Sequence, residues 1–146
     1  MSVKKYIGWI DHGCYPGETL FINGYDYDQT LKHLKKMRKK KGVNKKVMDC
    51  WIESVRAHEN TFRSNNWFCG ICDVAPKDSD RFSKYTIISL TTGFKKCDFD
   101  YTRVAHEVLH LCQFYLPDLL DRDTEVEAEA YFHTHIMGQI LNVINN

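Results

Sequence analysis

Residues 104–110 read VAHEVLH, which places two histidines four positions apart within a run of apolar residues. Four residues of an α-helix make slightly more than one turn, so His106 and His110 leave the same face of such a helix. Apolar residues surround the pair on nearly every side, which predicts that the helix is buried. Because buried polar side chains require partners, this segment constrains the fold more than any other part of the chain.

Two imidazoles one helical turn apart suit the coordination of one Zn²⁺ ion, at Zn–N distances of about 2.0–2.1 Å. Glu107 is rotated about 100° from His106 around the helix, so it can face a metal-bound water and act as general base. Catalytic zinc takes three protein ligands. Leu116 stands six residues after His110, where a third histidine would complete one known zinc pattern. A carboxylate further along the chain is therefore the expected third ligand.

The rest of the sequence predicts one α+β domain spanning residues 1–146, with most strands early and two helices at the end. Its expected sheet is short and mixed or antiparallel, and it packs on the histidine helix and a C-terminal glutamate-bearing helix. Alternating patterns and turn residues predict a hairpin of two strands over residues 4–11 and 18–24, followed by two helices over residues 26–42 and 44–62. Two further strands are predicted over residues 66–74 and 84–92, and two final helices over residues 98–115 and 121–144. Asp26 or Asp28 is the expected N-cap of the first helix.

The C-terminal third of the chain resembles gluzincin-type metallopeptidases, in which His-Glu-x-x-His is followed by a glutamate ligand on a later helix, often as Glu-x-x-Ala. It is also similar to short phage and prophage metallopeptidases with Glu-x-x-Ala-Tyr. The resemblance implies a zincin-like domain whose third ligand belongs to EAEAY, starting at Glu127, or EVEAE, starting at Glu125. It also implies an extended strand beside the active-site helix, and residues 84–90 are the candidate for the edge with which a substrate pairs.

Helical spacing favours Glu127 over Glu125, with Glu129 third. Glu127, Tyr131 and His135 align at four-residue steps. Glu127 also flanks a predicted apolar face that consists of Val126, Ala130, Met137, Leu141 and Ile144. Tyr131 and His135 are candidates for orienting the ligand or stabilising an oxyanion, or else they pack against the histidine helix.

Composition limits the expected surroundings of the protein. The net charge of +1 provides no global field for nucleic acid or anionic membranes, and the lysines of residues 32–46 are read as a solvated helix face. The start of the sequence lacks the apolar segment of a secretory signal, so we expect a cytoplasmic protein with reduced thiols. Cys69 and Cys72 are expected as half-buried strand residues. We expect a peptide or protein substrate and no membrane partner, and the composition does not favour a nucleic-acid partner.

These features predict a zinc-dependent peptidase, with Zn²⁺ on His106, His110 and Glu127 and with Glu107 as general base. Two other functions are compatible with the same sequence. One is a non-catalytic, zinc-stabilised interaction module in which a fourth protein ligand replaces water. The other is a phage-type nucleic-acid-binding protein that uses the basic helix of residues 32–46.

Overall fold

The computed structural model of the chain describes residues 3–13, 17–71, 84–115 and 126–146. Within these ranges the chain forms a small mixed α and β domain with four strands and five α-helices. In chain order they are β1 (Tyr6–Asp11), β2 (Gly17–Asn23), α1 (Tyr27–Arg38), α2 (Lys45–Ala57), α3 (Glu59–Arg63), β3 (Phe68–Ile71), β4 (Lys84–Leu90), α4 (Asp98–Tyr115) and α5 (Val126–Asn145).

The four strands form one mixed sheet in the order β1-β2-β4-β3. The predicted hairpin is confirmed, because β1 and β2 pair antiparallel. β2 then pairs parallel with β4, and β3 folds back antiparallel on the other side of β4. The prediction that residues 84–90 provide a free edge is therefore wrong. β4 has a neighbour on each side, and among the described residues β3 is the edge strand at this end of the sheet.

Alternate strand residues point to opposite sides of the sheet, and both sides carry apolar residues. Helices therefore cover both faces. On one face, Phe21 and Ile88 pack with α4 and α5 in a first core. On the other face, Leu20 and Ile87 pack with α1, α2 and α3 in a second core that includes the fully buried Trp51. The packing of the sheet on the two C-terminal helices agrees with the prediction, and the helices of the first half form the opposite layer.

The predicted helices of the first half form with altered ends. Asp26 is the N-cap of α1 and makes a capping box with Gln29, but α1 ends at Arg38 instead of Gly42. The second predicted helix divides at His58 into α2 and α3. There the His58 imidazole donates to the Ser54 carbonyl at 2.7 Å and stacks on Phe68 at 4.8 Å. These contacts fix His58 outside helical geometry.

In the parts of the chain that are described, no helix has the length and apolar character needed to cross a membrane.

Candidate metal centre

Two contacts hold the histidine helix alongside the edge strand. The Arg103 guanidinium lies over the Trp67 ring, 4.1 Å from its centroid, and one helical turn later Glu107 accepts a hydrogen bond from the backbone N–H of Cys69. Four helical residues rise about 6 Å and two strand residues rise about 6.6 Å, so the contacts stay in step. α4 therefore runs beside β3 in the same direction, and the Glu107 carboxylate accepts the hydrogen bond of a backbone N–H that points outward from β3.

His106 and His110 lie close together one turn apart on α4, as the sequence predicts. Their Nε2 atoms are 3.0 Å apart, and their ring planes are perpendicular with centroids 4.5 Å apart. The Nδ1 atom of His110 lies 3.0 Å from Oε1 of Gln113. Because an amide oxygen only accepts, Nδ1 of His110 is the donor in this contact, and Nε2 is the ring nitrogen that faces His106.

This arrangement fits a zinc ion. Two imidazole nitrogens on a tetrahedral Zn²⁺ at about 2.0–2.1 Å are separated by about 3.3 Å, which is within a few tenths of an ångström of the observed Nε2–Nε2 distance. The hydrogen bond that Nδ1 of His110 donates to Oε1 of Gln113 is the kind of contact that orients a metal-binding histidine. Both the type of donor atom, imidazole nitrogen, and the distance between the two Nε2 atoms suit a zinc ion.

Glu107 points away from solvent and is only 7% exposed. Burial raises the pKa of Glu107, while the nearby charges of His106, His110 and Arg103 and the Cys69 amide lower that pKa. Burial is the largest of these effects. The carboxyl group is thus both fixed in position by the edge strand and a stronger base than an exposed glutamate.

The prediction that the histidine helix is buried on all sides is wrong. Val104, Val108 and Leu111 are fully buried against the sheet, but Leu109 is 45% exposed and His106 is also exposed. α4 therefore presents one face to the core and one to solvent. The histidine pair lies on the open face, where a ligand can reach it, and Glu107 lies at the boundary between the faces.

Of the three glutamates predicted as the third ligand, the structure describes only the side chain of Glu129. Glu125 and the side chain of Glu127 lie outside the described residues, although the backbone of Glu127 belongs to α5. Glu129 is half-buried and lines a groove between α4 and α5 together with Leu109 and His133. Among the residues whose side chains are described, no three His, Cys, Asp or Glu side chains form a group that could hold a metal ion.

The apolar face predicted for α5 is correct only in part, because Ile144 is buried and Met137 and Leu141 pack against the first core, but other residues form most of the buried line. Ala130 is exposed, whereas the buried line consists of Phe132, Ile136, Ile140 and Ile144. A step of four residues back from Phe132 reaches Ala128, so Glu127 and Glu129 flank the buried line on opposite sides. The position of the apolar face therefore does not distinguish between these two glutamates.

Tyr131 and His135 are not brought to the histidine pair in the described structure. Tyr131 is 72% exposed. His135 lies against the end of β1, with its Nε2 atom 3.3 Å from the carbonyl oxygen of Asp11 and 2.6 Å from Nε2 of Gln139. The packing of Tyr131 against the histidine helix is thus wrong, and the roles proposed for both residues toward the ligand stay predictions.

Cys69 is half-buried in β3, as predicted, and its thiol is free. Burial raises its pKa, and the neighbouring Glu107 and Cys112 raise that pKa further. A thiol held in its neutral form is a poor metal ligand and a poor nucleophile. The role of Cys69 at the site is therefore to provide the backbone amide that holds Glu107. Cys72 lies outside the described residues.

Three residues that contact the site were not predicted from the sequence. Gln113 and Arg103 stand at helical spacing from His110 and Glu107, so a search for i+3 and i−4 neighbours would have found them. Trp67 could not be found in this way, because its contact with Arg103 depends on how α4 packs on the edge strand.

No protein-family model matches the chain, and no curated protein or solved structure shows significant similarity to it.

Proposed function

We propose that the chain is a zinc-dependent peptidase with a zincin-like fold, in which His106 and His110 bind the metal and Glu127 is the third ligand. The observation that carries the proposal is the approach of the two Nε2 atoms to 3.0 Å on the solvent-facing side of α4. The resemblance of the EAEAY segment supports Glu127. Glu129 is the alternative third ligand, because it lies in the groove beside Leu109.

Zinc, when bound, supplies Lewis acidity toward oxygen atoms of the substrate and of water. Glu107 is suited to take a proton from the attacking water and to pass it to the departing amine nitrogen. Its carboxyl group is held by the Cys69 amide and made more basic by burial. A general base must be fixed within reach of its proton, and this anchoring to β3 fixes the carboxylate.

The substrate of this proposal is a peptide in extended form. β3 is an edge strand and lies directly beside the histidine helix, so its outer backbone groups are the nearest to the site that can pair with a peptide. The backbone N–H of Cys69 already donates to Glu107, so a peptide would pair with the backbone groups of β3 before or after Cys69. Arg103, stacked on Trp67, marks the end of the edge where β3 begins.

A zinc-stabilised interaction module is the second candidate. The hydrogen bond between Glu107 and the edge strand favours it, because the same contact would serve a purely structural site. The two functions differ in what Glu107 does after folding. In the peptidase the carboxylate moves a proton, whereas in the module it only holds α4 against β3.

The test is Glu107→Gln, which keeps the size of the side chain and its ability to accept from the Cys69 amide. We expect wild-type protein and variant to bind about one zinc per chain. Hydrolysis of a mixture of quenched fluorescent peptides should fall roughly 10²–10⁴-fold in the variant. Glu53→Gln, at an exposed position of α2, is the matched control and should cleave like wild type.

Two results would contradict the peptidase. Unimpaired cleavage by Glu107→Gln would remove this residue as the base. Zinc binding without any cleavage by the wild-type protein, across the whole peptide mixture, would support the interaction module instead.

A further inference from the structure

The near-zero net charge of the chain conceals a strong separation of charge. Residues 32–46 contain nine of the 20 lysines and arginines and none of the 19 aspartates and glutamates. The remaining residues therefore hold 11 basic and 19 acidic side chains, a net charge of −8. A whole-chain charge of +1 says nothing about the field near this segment, which is strongly positive.

The fold displays this charge as one surface. Lys32, Lys35, Lys36 and Lys39 recur at spacings of three, one and three along α1, and all four are exposed. They line an open groove on the outside of the helix, and their positions span about 10 Å of the helix axis. We call these four residues the lysine face. The opposite side of α1 is anchored in the second core by Leu34, which is fully buried.

Of the described residues that line the groove, only Asp28 is acidic, and it pairs with Arg63 at 3.4 Å and not with the lysine face. None of its four lysines forms an ion pair in the described chain, whereas the neighbouring Arg38 is neutralised by Asp49 at 2.6 Å. The field acts on nearby groups. The pKa of His33 is lowered by burial and by the positive charges of Lys40 and Lys36. Four unpaired cations on one rigid helix favour a partner that carries a regular array of negative charge.

We propose that the lysine face binds the phosphate backbone of double-stranded nucleic acid without reading its sequence. Lysine ammonium groups act as point charges toward phosphates. Recognition of single strands needs aromatic side chains on which bases stack. The exposed aromatic residues in the described structure, Phe99, Tyr101 and Tyr131, all belong to α4 and α5. On an anionic membrane each lysine contributes only about 1 kcal/mol, and stable attachment also needs inserted apolar residues, but the apolar side of α1 is buried in the core.

This surface lies on the opposite side of the sheet from the histidine pair, because α1 and α4 belong to different cores. A duplex bound to α1 therefore leaves the histidine face of α4 open. The inference is independent of the proposed peptidase activity. If both hold, the protein cleaves peptides while it is attached to nucleic acid.

The experiment measures binding of the full-length protein to a fluorescently labelled 20-base-pair duplex of random sequence, by anisotropy, across a range of salt concentrations. We expect the logarithm of the association constant to fall with the logarithm of salt concentration with a slope of about −4, as expected for about four phosphate contacts. Lys35→Gln/Lys39→Gln should reduce the slope by about 2 and weaken binding at least roughly tenfold near 0.1 M salt.

Lys95→Gln/Lys96→Gln is the matched control. It removes the same charge from two exposed lysines just before α4, and it should bind like wild type. Equal weakening by both double variants would show that net charge and not the lysine face controls binding, and would overturn the proposal. So would an absence of salt-dependent duplex binding. Binding to phosphatidylserine vesicles in preference to the duplex would assign the surface to membranes, and would also overturn it.

Discussion

The two faces of the sheet use polar groups in opposite ways. On the α4 side the groups are few and interlocked, with His106 and His110 in contact with each other and Glu107 fixed by the edge strand. On the α1 side the four lysines of the lysine face are exposed and form no ion pair within the described residues, although Arg38 and Arg63 nearby are paired. The first arrangement fixes atoms to within tenths of an ångström, which metal coordination requires. The second provides a field that tolerates side-chain motion, which is sufficient to attract a polyanion.

The largest expected effect tests whether the two histidines of α4 bind zinc. We expect His106→Ala and His110→Ala each to weaken zinc binding at least roughly a hundred-fold. A structural zinc site is worth about 10–16 kcal/mol over its four ligands, so each ligand contributes about 2.5–4 kcal/mol, or roughly a hundred-fold to several hundred-fold in affinity. Competition against a chromophoric chelator measures the change. His33→Ala, on α1, is the control and should keep wild-type affinity. If either histidine of α4 could be removed without loss of affinity, α4 would not hold the metal.

A second test asks whether the two faces are separate cores. Ile87 and Ile88 are adjacent and fully buried, but they point into opposite layers. Replacing either by alanine should lower the free energy of unfolding by about 3 kcal/mol. Hydrogen exchange should then differ between the two variants. Ile88→Ala should speed exchange in α4, and Ile87→Ala should speed it in α2. The same acceleration of both helices in both variants would show one cooperative core.

The smallest expected effect concerns the third ligand. The quantity of interest is the difference among three variants: Glu127→Ala should weaken zinc binding at least about tenfold more than Glu129→Ala or Glu125→Ala does, because only one of the three carboxylates is a ligand. The same chelator competition decides between them. A larger loss for Glu129→Ala would place the metal toward the groove between α4 and α5, and a larger loss for Glu125→Ala would shift the motif by two residues. Either result changes the ligand set and leaves the histidine pair in place.

The features that could be predicted from sequence depend on neighbouring residues. The histidine pair follows from helical spacing, and the cap at Asp26 follows from its position before a helix. The features that could not be predicted depend on residues far apart in the chain. The edge position of β3 requires the parallel pairing of β2 with β4, and the anchoring of Glu107 requires α4 to lie along β3.

Other errors have equally specific causes. The division of the second helix at His58 follows from stacking on Phe68, a contact that helical periodicity does not encode. The apolar face of α5 was predicted only in part because both sides of that helix carry apolar residues, so the pattern alone does not show which of them are fully buried against the sheet. The buried line from Phe132 to Ile144 follows from packing on β1 and α4.

The parallel pairing of β2 and β4 has a consequence for synthesis of the chain. The hydroxyl groups of Thr19 and Thr86 are 2.8 Å apart and belong to residues separated by 67 positions. At about 5–20 residues per second, a ribosome adds that length in about 3–13 s. During this interval β2, with its apolar residues Leu20, Phe21 and Ile22, can pair only with β1. The nascent hairpin therefore exposes an apolar strand edge for seconds, which is the period when it is most open to aggregation or chaperone capture.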